Sequence, residues 1–283
     1  MIPGSFDYVR ASTLDDAVTA LREAGEEGKV IAGGQSLLPL LRLRLAYPEV
    51  LVDVGSLPEL HGVRDEGSSL LVGAMTTHYE VMRDPLIREH APLVAAATST
   101  VADPAVRHRG TFGGSLAHAD PAGDLPAVVL AMDGVLVTSS REIPVGEFFA
   151  DYLTSALEPD EVLVGVRLPK VYAGWGFHYE KFHRTAQAWA IVGVACLVNR
   201  SNGEVSGARI GLTNMGSTPV RASAVEAAVA GGAVDREAFR AAAENAAEGT
   251  SPPSDLHGSA DYRRHLARVL TARALATAAG VQA

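Results

Sequence analysis

The chain has 283 residues, of which 47% are hydrophobic and 20% are charged, and its formal net charge is −9. This length and composition suffice for a globular protein with two or three hydrophobic cores. The negative charge argues against the broad basic surface that nucleic acid or an anionic membrane attracts. Cys196 is the only cysteine, so the chain cannot form an internal disulfide or supply the ligands of an iron–sulfur cluster or a cysteine-rich zinc site.

The amino terminus, MIPGSFDYVRAS, lacks the basic flank and the apolar centre of a signal peptide. No apolar run reaches the ~18 residues that a membrane-spanning helix needs. We therefore expect a cytoplasmic protein without a membrane span, and we expect Cys196 to be a buried thiol without a catalytic role.

The first predicted elements are a helix, a strand and a second helix. In STLDDAVTALREAGEEG, Thr13 precedes apolar residues at helical spacing, and Asp16 follows three positions later, which is the pattern of a capping box. The strand KVIAGG ends at Gly33 and Gly34, after which Ser36 can cap the helix LLPLLRLRL. The glycine pair is therefore predicted to lie in a strand-to-helix turn.

Strands and helices are predicted to alternate through about the first 170 residues. VLVDVGSL and SSLLVGAMTTHYEVM read as strands, the second running into a helix near Thr77, and PLIREHAPLVAAATST reads as one helix. DLPAVVLAMDG is predicted to be helical and VLVTSSREIPV to be a hairpin.

From residue 176 the pattern changes to long β-like runs, with SNG as the turn of a hairpin. The remaining alanine-rich segments are predicted to be helical. We therefore predict domains at residues 1–175 and 176–283, the first divided into subdomains at about 1–54 and 55–175.

Two glycine pairs raise the question of a ligand, because AGGQS (residues 32–36) and TFGGS (residues 111–115) have similar patterns. Glycine permits positive φ and lets backbone N–H groups converge on a phosphate. One such pair usually marks only a tight turn, but two of them suggest a clasp for the two phosphates of a dinucleotide, with Ser36, Thr111 and Ser115 adding hydroxyl groups. Neither segment is a P-loop or a Rossmann fingerprint.

Histidine and aspartate residues suggest a metal site at one place in the chain. His118, Asp120 and Asp124 lie together in HADPAGD, but such residues more often serve as hydrogen-bonding groups in loops, and we expect no metal. His178 and His183 are five positions apart, which places them on opposite faces of a strand. We assign no side chain as an acid, base or nucleophile.

The segments AGGQSLLPLLRLRL and VADPAVRHRGTFGGSLAHADPAGDLP resemble the two FAD-binding signatures of the medium, flavoprotein subunit of carbon monoxide dehydrogenase and related molybdenum hydroxylases, the family of xanthine dehydrogenase. The resemblance extends along essentially the whole chain. It implies an α+β fold: an FAD-binding domain of the vanillyl-alcohol-oxidase (PCMH) type, built from two α/β subdomains, and a C-terminal domain with a three-stranded antiparallel sheet and helices.

The resemblance also implies which residues bind the cofactor. Asp124 would contact the adenosine part of FAD, Leu163 would flank the adenine, and Lys181 would lie close to the flavin. Trp189 would lie near the isoalloxazine ring, although an ordinary core tryptophan is an equal alternative. The two phosphate-contacting turns would be formed by Ala32, Gly33, Gly34, Gln35, Ser36, Leu37 and Leu38, and by Thr111, Phe112, Gly113, Gly114 and Ser115.

The function that the resemblance implies is electron transfer. FAD, bound noncovalently, would take electrons from the [2Fe–2S] clusters of a small partner subunit, while a large partner subunit holds the molybdenum cofactor, in a dimer of heterotrimers. A stand-alone FAD-dependent oxidase or dehydrogenase and a non-catalytic flavin-binding accessory protein are the alternatives.

Overall fold

The computed structural model describes residues 2–281, so Met1, Gln282 and Ala283, at the outer limits of the two predicted domains, lie outside it. Within this range the chain forms four β-sheets, of three, five, four and two strands. None of the helices in the range combines the length and the hydropathy that a bilayer crossing requires.

The first sheet is parallel, with the strand order β1-β3-β2. Its strands are β1 (Asp7–Arg10), β2 (Gly28–Ile31) and β3 (Val50–Asp53), and its helices are α1 (Leu14–Ala24) and α2 (Leu37–Leu43). The predicted capping box is confirmed, because the Thr13 hydroxyl accepts the Asp16 N–H at 3.1 Å and the Asp16 carboxylate accepts the Thr13 N–H at 3.0 Å. These bonds satisfy donors at the start of α1 that would otherwise be unpaired.

The second sheet is antiparallel, with the order β4-β5-β10-β6-β7. Its strands are β4 (Val63–Asp65), β5 (Ser69–Gly73), β6 (Val135–Thr138), β7 (Glu142–Pro144) and β10 (Leu163–Pro169). A separate two-stranded hairpin, β8 (Phe149–Asp151) and β9 (Thr154–Ser155), lies between β7 and β10 in the chain. The predicted hairpin is confirmed as the β6–β7 pair. The predicted alternation of strands and helices is wrong here, because antiparallel strands need no crossover helix between neighbours.

Six helices instead follow one another between β5 and β6. They are α3 (His78–Val81), α4 (Pro85–His90), α5 (Pro92–Ser99), α6 (Pro104–Arg107), α7 (Phe112–Ala117) and α8 (Asp124–Ala131), and α9 (Val145–Phe148) follows β7. The helix α3 begins after Thr77, as predicted. The single helix predicted for residues 85–100 is two helices, because Ala91 precedes Pro92 and leaves the helical region at φ −139° and ψ 49°.

The third sheet is antiparallel and contains three long strands, as predicted, and a fourth of two residues. Its strands are β11 (Gly176–Phe182), β12 (Val192–Ser201), β13 (Glu204–Thr213) and β14 (Val220–Arg221), and its helices are α10 (Ser223–Val229), α11 (Arg236–Ala243) and α12 (Ala260–Ala278). Asn202 and Gly203 form the predicted turn with φ of 54° and 83°. Cys196 is fully buried in this unit's core.

Three hydrophobic clusters lie against the three larger sheets, and the cluster of the second sheet also includes Tyr179, Ala195 and Leu197 of the third. The helix α8 joins the second and third, since a β-carbon on Gly211 of β13 would lie 2.1 Å from the carbonyl oxygen of Ala127. This close backbone contact fixes the third sheet against α8. The turn after β2, the start of α7 and the end of β11 consequently surround one cleft.

Candidate functional site

The two glycine turns touch each other through their backbones. A β-carbon on Gly33 would lie 2.1 Å from the carbonyl oxygen of Arg109 and 2.9 Å from the Cα of Gly110. On the other side, a β-carbon on Gly114 would lie 3.8 Å from the Cβ of Ala32. The fold therefore brings together two turns that are about eighty residues apart, and only glycine at position 33 allows this approach.

The first turn leaves a run of backbone donors unpaired. Within the described range, the N–H groups of residues 33–37 have no intramolecular acceptor. Gly34 has a φ of +74°, the left-handed conformation that reverses the chain between β2 and α2. Ser36 is the N-cap residue of α2, as predicted, but its side chain makes no capping hydrogen bond. Consecutive free N–H groups next to a free hydroxyl are the donor set of an anion-binding nest.

The second turn differs, because its amide groups are bonded within the protein. The N–H groups of Phe112 and Gly113 donate to the carbonyl oxygens of Thr76 and Ala74, both at 2.9 Å. The N–H of Gly114 donates to the hydroxyl of Thr111, its N-cap, at 3.2 Å. The expectation that both turns present converging N–H groups is therefore corrected: the first turn presents them, and the second forms an opposing wall.

A cleft of about 930 Å³ lies between these turns, near the upper end of the ~300–1,000 Å³ that ligand pockets usually have. Twelve of the predicted site residues line it: Ala32, Gly33, Gly34, Gln35, Ser36, Leu37, Thr111, Gly114, Ser115, Asp124, Lys181 and Trp189. The other four predicted site residues do not line the cleft. Phe112 and Leu163 are buried in the core, Gly113 packs against Ala74, and Leu38 is partly exposed on α2.

One wall of the cleft contains a buried ion pair. The Lys181 ammonium lies 2.7 Å from the Asp124 carboxylate, and both side chains are 3% exposed. The Tyr179 hydroxyl donates to the same carboxylate at 2.7 Å, and Lys181 also donates to the Thr100 carbonyl at 3.1 Å. Burial raises the pKa of the Asp124 carboxyl, and Lys181 opposes that shift.

Because Asp124 and Lys181 are directly bonded, their side chains lie at the same place in the cleft wall. The resemblance implies that Asp124 contacts the adenosine part of FAD and that Lys181 lies close to the flavin, and both placements stay predictions.

Trp189 lies on the cleft with 55% of its surface exposed, so it is not an ordinary core tryptophan.

The three residues considered for a metal site, His118, Asp120 and Asp124, do not converge on one point. His118 Nε2 is 4.0 Å from Asp120, whereas Asp124 bonds Lys181 and Tyr179. Among residues 2–281, no group of three or more histidine, cysteine or carboxylate side chains has a metal-binding arrangement.

Two further polar residues on the cleft were not identified from the sequence. His78 is 3% exposed, and burial, with a contribution from Arg107, lowers its pKa to about 4. Burial raises the pKa of Glu161, but hydrogen bonds from Arg141, Thr138 and other donors lower it to about 2. The capping box of α3, readable as TTHYE, fixes the position of His78, but it does not indicate a ligand.

Comparison with known proteins identifies the family. Residues 4–171 match the FAD-binding domain of molybdopterin dehydrogenases, and residues 177–278 match the C-terminal domain of carbon monoxide dehydrogenase flavoproteins. The carbon monoxide dehydrogenase medium chain of Hydrogenophaga pseudoflava is 39% identical over 279 residues, 97% of each chain. The 6-hydroxypseudooxynicotine dehydrogenase complex subunit alpha of Paenarthrobacter nicotinovorans is 37% identical over 98% of this chain and 96% of its own.

Solved structures are similar along the whole chain. A chain of the Hydrogenophaga pseudoflava carbon monoxide dehydrogenase that lacks the Mo-pyranopterin moiety superimposes with a TM-score of 0.96 and 41% identity, and 100% of each chain is covered. The free N–H groups at residues 33–37 and the bare backbone at Gly33 suit the diphosphate of FAD. The chain therefore belongs to the family of FAD-binding medium subunits of the molybdenum hydroxylases, and it is a subunit of an oxidoreductase.

Proposed function

We propose that this chain is the electron-transfer subunit of a molybdenum-containing hydroxylase or dehydrogenase. The observation that carries the proposal is the joined pair of glycine turns, with unpaired N–H groups facing a cleft large enough for a dinucleotide. Bound FAD would supply the redox chemistry, taking electrons from the [2Fe–2S] clusters of a small partner subunit and passing them to an external acceptor. A large partner subunit would hold the molybdenum cofactor.

The first turn would hold the diphosphate in this proposal. Its N–H groups at residues 33–37 and the Ser36 hydroxyl offer donors without a positive charge. The Thr111 and Ser115 hydroxyls lie on the opposing wall. Ser115 donates its proton to the Phe112 carbonyl at 2.7 Å, so its oxygen faces a ligand only as an acceptor.

In this proposal, residues of the third sheet and of the loop after β11 would contact the flavin end of FAD. Lys181 lies on β11 and Trp189 lies in the loop after it, and both line the cleft. The exposed indole offers a flat apolar surface for the isoalloxazine ring. The Asp124–Lys181 pair offers a desolvated polar contact beside it. This arrangement supports the division of the chain at residues 175 and 176, with the cofactor contacted by both parts.

Partner subunits are proposed from the composition of this chain and from its relatives. Its one cysteine is buried in the third sheet, so an iron–sulfur relay needs another polypeptide. The relatives are named as a medium chain and as a subunit of a complex. We propose a dimer of heterotrimers that works in the cytoplasm, in preference to a stand-alone flavoenzyme or an accessory protein.

The test is the half-reaction of the full-length chain purified without partners. We expect its FAD to be reduced by dithionite and reoxidised by an artificial acceptor. Carbon monoxide, aldehydes and N-heteroaromatic compounds should not reduce it until the large and small subunits are added. Rapid reduction of the flavin by one of these substrates in the isolated chain would refute the proposal and favour a stand-alone enzyme.

A further inference from the structure

The imidazole of His78 is a buried polar group without a partner in the protein. The residue is 3% exposed and lines the cleft, and within residues 2–281 neither ring nitrogen makes a hydrogen bond. Its Nδ1 is completely shielded from solvent. No molecule in the cleft can therefore reach Nδ1, whereas Nε2 is not completely shielded. Polar side chains that are almost fully buried nearly always have a hydrogen-bond partner, so a reachable and unpaired Nε2 on a cleft wall indicates a group supplied by a ligand.

The position of this ring is fixed by the contact between the two glycine turns. The backbone N–H of His78 donates to the Gly110 carbonyl at 2.9 Å. A β-carbon on Gly110 would lie 3.0 Å from Cδ2 and 3.2 Å from Nε2 of the ring. Gly110 is also the residue whose Cα lies against Gly33. The imidazole therefore lies directly beside the junction where the turns meet.

The backbone that carries the ring is held independently of the ring nitrogens. Thr77 and Glu80 form a complete capping box at the start of α3, with bonds of 2.8 and 3.2 Å. The ring nitrogens are therefore not needed to position the helix. Nε2 remains available to a bound molecule.

The chemistry of the imidazole ring limits the classes of molecule that could be its ligand. Because burial keeps the imidazole neutral at neutral pH, one nitrogen donates a hydrogen bond and the other accepts one. A metal would need further ligands, and no suitable cluster occurs in the described part of the chain. Nε2 is the donor or the acceptor according to the tautomer, and a molecule with both oxygen acceptors and hydroxyl donors, as in the diphosphate and sugar-alcohol portion of a dinucleotide, can pair with it in either case.

We propose that His78 is an FAD-contacting residue, which hydrogen bonds the polar central part of the cofactor beside the junction of the two glycine turns. This inference rests on the assignment of the cleft to FAD. It adds to the two turns a side chain from α3 that neither glycine signature contains.

The test uses the FAD-free full-length chain titrated with FAD, followed by flavin fluorescence. His78→Phe keeps an aromatic ring and removes both nitrogens, His78→Asn keeps an amide group near the position of Nδ1, and His78→Gln keeps one near Nε2. We expect His78→Phe to weaken FAD binding about tenfold or more. Its thermal midpoint without FAD should be unchanged or higher, because the lost nitrogens had no partner in the protein.

The glutamine variant, whose amide lies near the position of Nε2, should restore part of the affinity, and the asparagine variant should not. The matched control is His90→Phe, since His90 lies at the end of α4 away from the cleft. It should leave FAD affinity unchanged. Wild-type affinity in His78→Phe would overturn the proposal.

A second measurement does not depend on any variant being stable. In the wild-type chain labelled with ¹⁵N-histidine, the ring nitrogens of His78 should change chemical shift when FAD binds. Unchanged shifts at full FAD occupancy would also overturn the proposal. Failure of the wild-type chain to bind FAD at all would be a different result, because it would overturn the cofactor assignment of the cleft together with the role of His78.

Discussion

Replacing Gly33 with alanine should separate the two glycine turns. The added β-carbon would lie 2.1 Å from the Arg109 carbonyl oxygen, whereas ordinary contact begins at 3.4 Å. Because the obstructing atoms belong to the backbone of residues 109 and 110, no side-chain rotation relieves the contact. Overpacking that forces backbone shifts costs about 1–3 kcal/mol, and we expect the upper part of that range.

The same shift should weaken cofactor binding more than it weakens the fold. A displacement of about 1 Å takes hydrogen bonds of ordinary length beyond the distance at which they count as bonds. Each lost bond to a charged phosphate should reduce affinity roughly tenfold or more. The loss of two or more donors of the first turn should therefore lower FAD affinity by about a hundredfold, measured by fluorescence titration of the FAD-free chain.

Two further glycines give a graded comparison. In Gly114→Ala the new β-carbon meets the Thr111 hydroxyl at 2.6 Å, a side-chain atom that can rotate away with the loss of one N-cap bond, about 1 kcal/mol. Gly146 has open space around it, so Gly146→Ala should bind FAD as the wild type does. If Gly33→Ala retained both the wild-type thermal midpoint and the wild-type FAD affinity, the steric argument would be refuted.

Three other predictions concern the walls of the cleft. Lys181→Met should destabilise the protein by about 3–5 kcal/mol in urea unfolding, because it leaves the buried Asp124 without a cation. Adding Asp124→Asn to this variant should recover part of the lost stability. If the effects of the two substitutions were additive, the pairing of the two side chains would be contradicted. The folded-state pKa of Glu161 is depressed from 4.5 to about 2, so its contribution to stability is present above about pH 4.5 and is lost as the pH falls towards about 2. The stability difference between wild type and Glu161→Gln should shrink over that interval, and a constant difference would contradict it. Trp189→Ala should change stability by less than about 0.5 kcal/mol, because the indole is largely exposed, while the fluorescence of bound flavin increases; unchanged fluorescence would place the indole away from the ring.

Local patterns in the sequence predicted several elements of the fold well. The capping box at Thr13, the turn at Asn202 and Gly203, and the strand that leads to Thr77 all depend on residues close together in the chain, and each is present. The break at Ala91 follows the same local logic, since a proline at position 92 disfavours helix in the residue before it.

The features that the sequence could not reveal depend on contacts between distant residues. The amides of the second turn are used by carbonyl oxygens of Thr76 and Ala74, an arrangement set by how α7 packs beside β5 and not by the glycines themselves. The Asp124–Lys181 contact joins residues far apart in the chain. The burial of His78 likewise arises only when α3 and the second glycine turn are assembled.

The cleft draws its walls from all three larger sheets: the turn after β2, the start of α7 near the second sheet, and the end of β11 in the third. A molecule held there contacts parts of the chain that contribute to different hydrophobic clusters. By mass action, a ligand that binds only the assembled state stabilises that state by its binding free energy. The cofactor in this fold is therefore also a cohesive element, and loss of cofactor and loosening of the three units against one another are linked equilibria.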